Sequence, residues 1–237
     1  MQRLKSSRWR FAVILGAAAA MTAALIGASV LTARHAGANR AGGAAAPAAQ
    51  QRLFAGVRQR GLVLGSATAP VTLVEYADLQ CPYCAAWTHQ TLPVLVSDYV
   101  RRGQLRIVFH GLAFLGPDSR SALTATVAAG RQNRLWDVLD ELYRRQGAEN
   151  SGWFTPSLLA EVVSGVRGLD PVRLEQDRRA AWTERQITAA AAAARAAGVS
   201  GTPSFQIGAT GRPLELVALH SLAPDGIRPA IESILAQ

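Results

Sequence analysis

Residues 64–84, LGSATAPVTLVEYADLQCPYC, decide the fold class. Within them, residues 70–76 (PVTLVEY) form a short apolar, β-rich run bounded by turn residues, which reads as a strand. The chain then reaches Cys81, Pro82, Tyr83 and Cys84, after which apolar residues recur at helical spacing over residues 85–100. Residues 105–109 (LRIVF) read as a second strand. A strand, helix, strand unit of this kind predicts a parallel pair joined by a crossover helix.

Downstream, residues 117–198 carry only helical signals: SRSALTATVAAG, LWDVLDELYRR, TPSLLAEVVSGV and a long Arg, Glu and Ala rich stretch over 171–197. Gly130, Gly147, Gly168 and Gly198 mark their ends. After Gly198 come a strand at 204–207 (SFQI), a turn at 208–213, a strand at 214–219 and a closing helix over 224–235. The order is βαβ, a helical block, then ββα. This predicts an α/β fold in one domain, residues 52–237, with the all-helical block at about 117–197 as an insertion.

Upstream, residues 11–33 contain no charged residue and follow the basic run RLKSSRWR. At 1.5 Å per residue they reach roughly 34 Å, enough for a hydrocarbon core of roughly 30 Å and longer than the apolar region of a cleaved signal. The segment reads as a transmembrane anchor, with cleavage near Ala36, Gly37 and Ala38 as the alternative. The positive-inside rule leaves residues 1–10 as a cytoplasmic basic stub and puts everything after Ala33 outside the cytoplasm. The expected location is the cell membrane, single-pass, or the periplasm or exterior if the segment is cleaved. Residues 34–51, rich in Ala and Gly, read as a flexible tether of roughly 25 Å root-mean-square reach.

Composition narrows the function. Of 237 residues, 49% are apolar and 17% charged, which excludes a disordered chain. The net charge of +9 is partly local, since Arg3, Lys5, Arg8 and Arg10 all precede the apolar segment. The remaining 21 basic and 16 acidic residues leave +5, with Arg interleaved among acids along helical patterns. No stripe of cations with interleaved aromatics is present, so nucleic acid is not an expected partner.

Cys81 and Cys84 are the only cysteines. A zinc site would need two further ligands, and His35, His89, His110 and His220 are isolated from one another, so no metal is expected. An oxidising compartment would pair the two thiols with each other, and a structural disulfide is the bland alternative. The functional reading is thiol–disulfide exchange, in which a thiolate attacks and a second thiol resolves the mixed disulfide. Cys81 would lie at a helix N-terminus, where free backbone N–H groups and the helix dipole stabilise a negative sulfur. Pro82 suits the first helical turn, and Cys84, one turn on, is the natural resolving thiol.

With these pieces the chain resembles the DsbA-like thiol-disulfide oxidoreductases of the thioredoxin superfamily, over roughly residues 61–235. Residues 64–84 look like the family's opening strand and active site, and the helical block resembles the insertion that separates the DsbA branch from thioredoxin. Residues 198–207, GVSGTPSFQI, resemble the loop that holds the superfamily's cis-proline, which carries over to Pro203 with Thr202 before it as substrate-binding positions. A trans proline opening the strand is the alternative there. Glu75, an acid inside an apolar strand, matches the superfamily's buried proton shuttle for the resolving cysteine; an edge carboxylate facing solvent is the alternative.

The resemblance implies a thioredoxin-like fold and catalysis by Cys81, Cys84 and Glu75, with Pro82 and Tyr83 in the active-site loop. It also implies no cofactor beyond the redox-active Cys81/Cys84 disulfide, and exported substrate proteins and a membrane redox partner as partners. Oxidation of exported proteins is the expected direction. However, Pro-Tyr departs from the Pro-His of strong DsbA oxidants and looks like the glutaredoxin dipeptide, so a reductase or isomerase remains open. A holdase with a structural disulfide is the alternative from another class. Asp78 and Gln80 read as loop residues, His89 and His110 as ordinary ones, and Trp87, Trp136, Trp153 and Trp182 as packing residues. Trp87 and Tyr83 are also candidates for a shallow apolar substrate surface.

Overall fold

The computed structural model describes residues 53–237; the basic stub, the apolar segment 11–33 and the tether at 34–51 lie outside the described residues. Among the described residues, no helix is long and apolar enough to cross a membrane.

The sheet is built around β3 (Val71–Asp78), whose eight residues are all buried. A strand covered on both faces has no polar side to show, so its apolar residues run on without alternation. It pairs in parallel with β4 (Leu105–Leu112), with Asp78 opposite Leu112, and antiparallel with β5 (Ser204–Ala209), with Tyr76 opposite Ser204. Completing the sheet are β1 (Gln59–Arg60), β2 (Val63–Leu64) and β6 (Glu215–Val217), in the order β1-β2-β4-β3-β5-β6. These pairings bring the carboxyl ends of β3 and β4 and the amino end of β5 to one end of the sheet. The β1–β2 hairpin has no counterpart in the sequence reading, because two-residue strands are too short to show a period.

After β3 comes α1 (Pro82–Gln90), then α2 (Leu92–Leu95), which continues as a π-helical turn over Val96–Val100. The single helix expected over 85–100 therefore starts earlier and is divided. Pro93 has no N–H to donate and helps to break the register at Thr91. The inserted block comprises α3 (Pro117–Ala129), α4 (Leu135–Arg144), α5 (Pro156–Gly165), α6 (Pro171–Arg178) and α7 (Ala181–Ala196). The stretch expected as one helix over 171–197 breaks at Ala180, which is extended at φ −75° and ψ 139°. There the Thr183 hydroxyl donates to the Asp177 carbonyl at 2.6 Å, and Asp177 also pairs with Arg131 at 2.6 Å. The closing helix is α8 (Pro224–Leu235).

The inserted block contributes helices to both faces of the sheet, and α1 shares one face with α4. On one face Trp87 of α1 lies against Phe205 of β5, ring centres 4.2 Å apart, and Trp136 of α4 meets Phe109 of β4 edge-on at 6.2 Å. On the other, Val74, Tyr76 and Leu112 pack against Ala194 of α7. Trp153 and Trp182 are partly buried against the main core. Trp136 is fully buried and joins the insertion to the sheet. Trp136→Ala is therefore expected to lower stability in urea by about 3–5 kcal/mol, the range for deleting a buried large aromatic. Trp136→Phe, which keeps most of the packing and removes an indole N–H that has no partner among the described residues, is expected to lose less than half of that.

Candidate active site

Cys81 occupies the N-cap of α1 with φ −73° and ψ 118°, and its carbonyl accepts from Ala85 N at 3.2 Å. Pro82 follows in the first turn, where its missing N–H removes nothing. The Cys81 side chain is nearly buried, and its Sγ lies 3.2 Å from the Thr202 carbonyl oxygen. The Thr202–Pro203 peptide is cis, so the proline is in the geometry that the sequence resemblance implied.

The two thiols are unbridged and differ sharply. Hydrogen bonding from the Cys84 thiol is the strongest influence on Cys81. The Thr202 side chain and the backbone N–H groups of Cys84 and Tyr83 add to it against the opposing effect of burial, and together they bring its pKa from 9.0 down to about 6. Cys84 is fully buried, and burial, reinforced by its bond to Cys81 and by that sulfur's charge, holds its thiol well above the ordinary value. The arrangement supplies a thiolate at the helix end and a proton-bearing thiol one turn behind it.

Glu75 lies in the middle of β3, opposite Phe109 on one side and Phe205 on the other. Residues in register share a face, so its carboxyl group sits on the face that carries Trp87 and Trp136. It is fully buried, and neither oxygen has a hydrogen-bond partner among the described residues. Burial pushes its pKa up to about 8. The alternative of a solvent-facing carboxylate does not hold, since β3 is internal to the sheet. The charge of Glu75 also acts to raise the Cys84 pKa.

Residues 78–81 are held more firmly than a free loop. Asp78 is the last residue of β3 and is fully buried, and Gln80 is 1% exposed. Their partners come from the inserted block: Ser119 on α3, Tyr143 on α4, and Gln146 and Asn150 beyond it. The sequence does show polar residues packed against the cysteines, but not partners about 40–70 positions away. Trp87 is fully buried and has no part in a substrate surface. Tyr83 is 65% exposed, and Phe114, in the loop after β4, is 54% exposed. His110 packs edge-on against Tyr76 at 5.2 Å, and His89 lies 4.0 Å from Asp140. Among the described residues no group of three or more His, Cys, Asp or Glu is placed to hold a metal ion.

A family model described as thioredoxin matches residues 58–216. The chain belongs to the thioredoxin family. Within that family it is similar to the probable disulfide bond formation protein D of Bacillus cereus, at 29% identity over 147 residues, 61% of this chain and 68% of that protein. Its fold matches that of oxidised BdbD from Bacillus subtilis with a TM-score of 0.65 at 23% identity, covering 76% of this chain and 98% of BdbD. Pseudomonas aeruginosa DsbA2 matches with a TM-score of 0.55 at 24% identity, over 75% of this chain and 95% of DsbA2. The chain is thus a DsbA-like member of the family and a thiol-disulfide oxidoreductase.

The Glu75 environment has a measurable sign. In the unfolded chain a glutamate releases its proton near pH 4.5, whereas folded Glu75 keeps it to about pH 8. Between those values the folded state binds one more proton, so stability falls as pH rises, by about 1.4 kcal/mol per pH unit. Glu75→Gln is expected to remove this slope. Urea denaturation of the disulfide form over that window measures it without interference from thiol titration.

Proposed function

We propose that this protein forms disulfides in exported proteins, with Cys81 as the attacked and attacking sulfur and Cys84 as the resolving thiol. In the forward reaction a substrate thiolate attacks Cys81 of the disulfide and releases Cys84 as a thiolate that takes up a proton. The second substrate thiolate then attacks the substrate sulfur of the mixed disulfide, which leaves the substrate oxidised and Cys81 as the leaving thiolate. Two electrons move from substrate to the Cys81/Cys84 pair, which is the only redox group required. A membrane redox partner would return the dithiol to the disulfide.

The observation that carries this reading is the low pKa of Cys81, about 6. A sulfur stable as a thiolate leaves readily and favours the reduced form, which makes the disulfide an oxidant. The name of the Bacillus cereus relative, disulfide bond formation protein D, points the same way. Thr202 and Pro203, facing Cys81 across the sheet end, would present the substrate backbone. Glu75, whose pKa of about 8 lets it both accept and donate a proton near neutrality, would exchange that proton with Cys84 through water. Tyr83, exposed in the first turn of α1, would offer apolar contact to the bound substrate. An apolar anchor at 11–33 and a tether at 34–51 would keep the domain at the outer membrane surface. The Pro82-Tyr83 dipeptide is the feature that favours the second reading, a reductase.

The reduction potential of residues 52–237 in glutathione buffers separates the two readings. A value near roughly −120 mV is expected for a disulfide donor, and one near roughly −270 mV would make the protein a reductase. Cys81→Ser is expected to abolish exchange, and Cys84→Ser to accumulate a mixed disulfide through Cys81. Glu75→Gln is expected to slow resolution by about 100-fold and to flatten its pH profile, the scale of a lost general acid–base group. A biological function that persists in Cys81→Ser after exchange is lost would leave only a binding role.

A further inference from the structure

Asp78 ends β3 three residues before Cys81, and its fully buried carboxylate accepts four hydrogen bonds. Oδ1 receives Gln80 N at 2.9 Å and the Ser119 hydroxyl at 2.5 Å. Oδ2 receives Phe114 N at 2.7 Å and Leu115 N at 3.2 Å. Four donors and no acceptor are the surroundings of a charged carboxylate, and such bonds are about twice as strong as neutral ones. Phe114 and Leu115 immediately precede the start of α3 at Pro117, so the carboxylate also lies at the positive end of that helix. Gly116, at φ 122°, lets the chain turn there into α3.

The remaining residues of the turn are tied to the same side of the molecule. The Asp78 carbonyl accepts from Cys81 N at 3.0 Å and from the Tyr143 hydroxyl at 3.1 Å. Gln146 donates to the carbonyls of Leu79 at 2.8 Å and Cys81 at 3.2 Å. The Gln80 amide donates to the Ser119 oxygen at 3.0 Å, and its carbonyl accepts from Asn150 N at 2.6 Å. Each residue from 78 to 81 is therefore bonded to the inserted block. Ser119, fully buried on the first turn of α3, is the only side chain donating to the Asp78 carboxylate among the described residues.

We infer that Ser119 is a positioning residue for Cys81, acting through Asp78, and that the inserted helical block thereby sets the reactivity of the attacking sulfur. The inference rests on the dithiol chemistry proposed above. Asp78 fixes the turn that places the Cys81 sulfur against Thr202 and the first N–H groups of α1. Ser119 holds the Asp78 carboxylate and, with it, that turn. Ser119→Ala changes no formal charge, yet it loosens the turn and so the hold of the first N–H groups of α1 on the sulfur. A looser hold disfavours a negative sulfur at Cys81.

The test uses the full chain in its reduced form and follows thiolate absorbance against pH, together with the rate of reaction with glutathione disulfide. Ser119→Ala is expected to raise the titration midpoint by about one pH unit, which lowers the thiolate population and the rate below the midpoint by about tenfold. Ser119→Thr, which keeps the hydroxyl, is expected to restore both. If Ser119→Ala does not fold, Gln146→Met, which frees the carbonyls of Leu79 and Cys81, carries the same expectation. An unchanged midpoint and rate in a folded variant, with only a lower resistance to urea, would overturn the inference and leave Ser119 a packing residue. A wild-type protein that fails to react with glutathione disulfide would overturn the functional reading itself, which no result on Ser119 can do.

Discussion

The structure depends on β3 being enclosed on every side: between β4 and β5 within the sheet, and between helices on its two faces. Any polar group placed on such a strand must be satisfied by the protein or remain uncharged. The strand carries two acids three positions apart, and they meet this demand in opposite ways. Asp78, at the end of the strand, gathers four donors and keeps its charge in a polar knot. Glu75, in the middle, has aromatic neighbours and no donor among the described residues, so it is held as a weak acid with a pKa of about 8. One carboxyl group fixes geometry, and the other is available to exchange a proton.

The sheet pairings give that contrast its setting. Because β3 and β4 run parallel and β5 runs against them, the cysteines, the Phe114 loop and Thr202 meet at one end without any long excursion of the chain. Sulfur chemistry here follows from place in the backbone more than from side-chain type. Cys81 is at the N-terminal end of a helix dipole, and Cys84 is one turn further in and fully buried. A separation of three residues is enough to push the two thiols to opposite sides of their ordinary value.

Much of this was legible in the sequence. The run VTLVEY, the Cys81 and Cys84 spacing and the SFQI strand after Thr202 and Pro203 are local patterns, and local patterns report the main strands, the helix start and the inserted block. The β1–β2 hairpin escaped because its strands are two residues long. The breaks at Thr91 and Ala180 escaped because apolar periodicity continues across them. The largest omission was Asp78 with Gln80, read as loop residues. Their roles depend on Ser119, Tyr143 and Asn150, and sequence separations of this size are set by tertiary packing that no periodicity encodes. Trp87 looked like a surface candidate from its nearness to the cysteines, but helical rotation turns it inward onto Phe205.

The two borders of the sheet have a further meaning. One is β1, two residues long, and the other is β6, three residues long. Unpaired backbone on a long, flat border invites any extended chain to add itself as another strand. With borders this short, an incoming chain finds almost no ladder to extend. The stunted borders thus act as a safeguard against edge-to-edge association, and leave the cysteine end of the sheet, not its sides, as the place where another chain can be engaged.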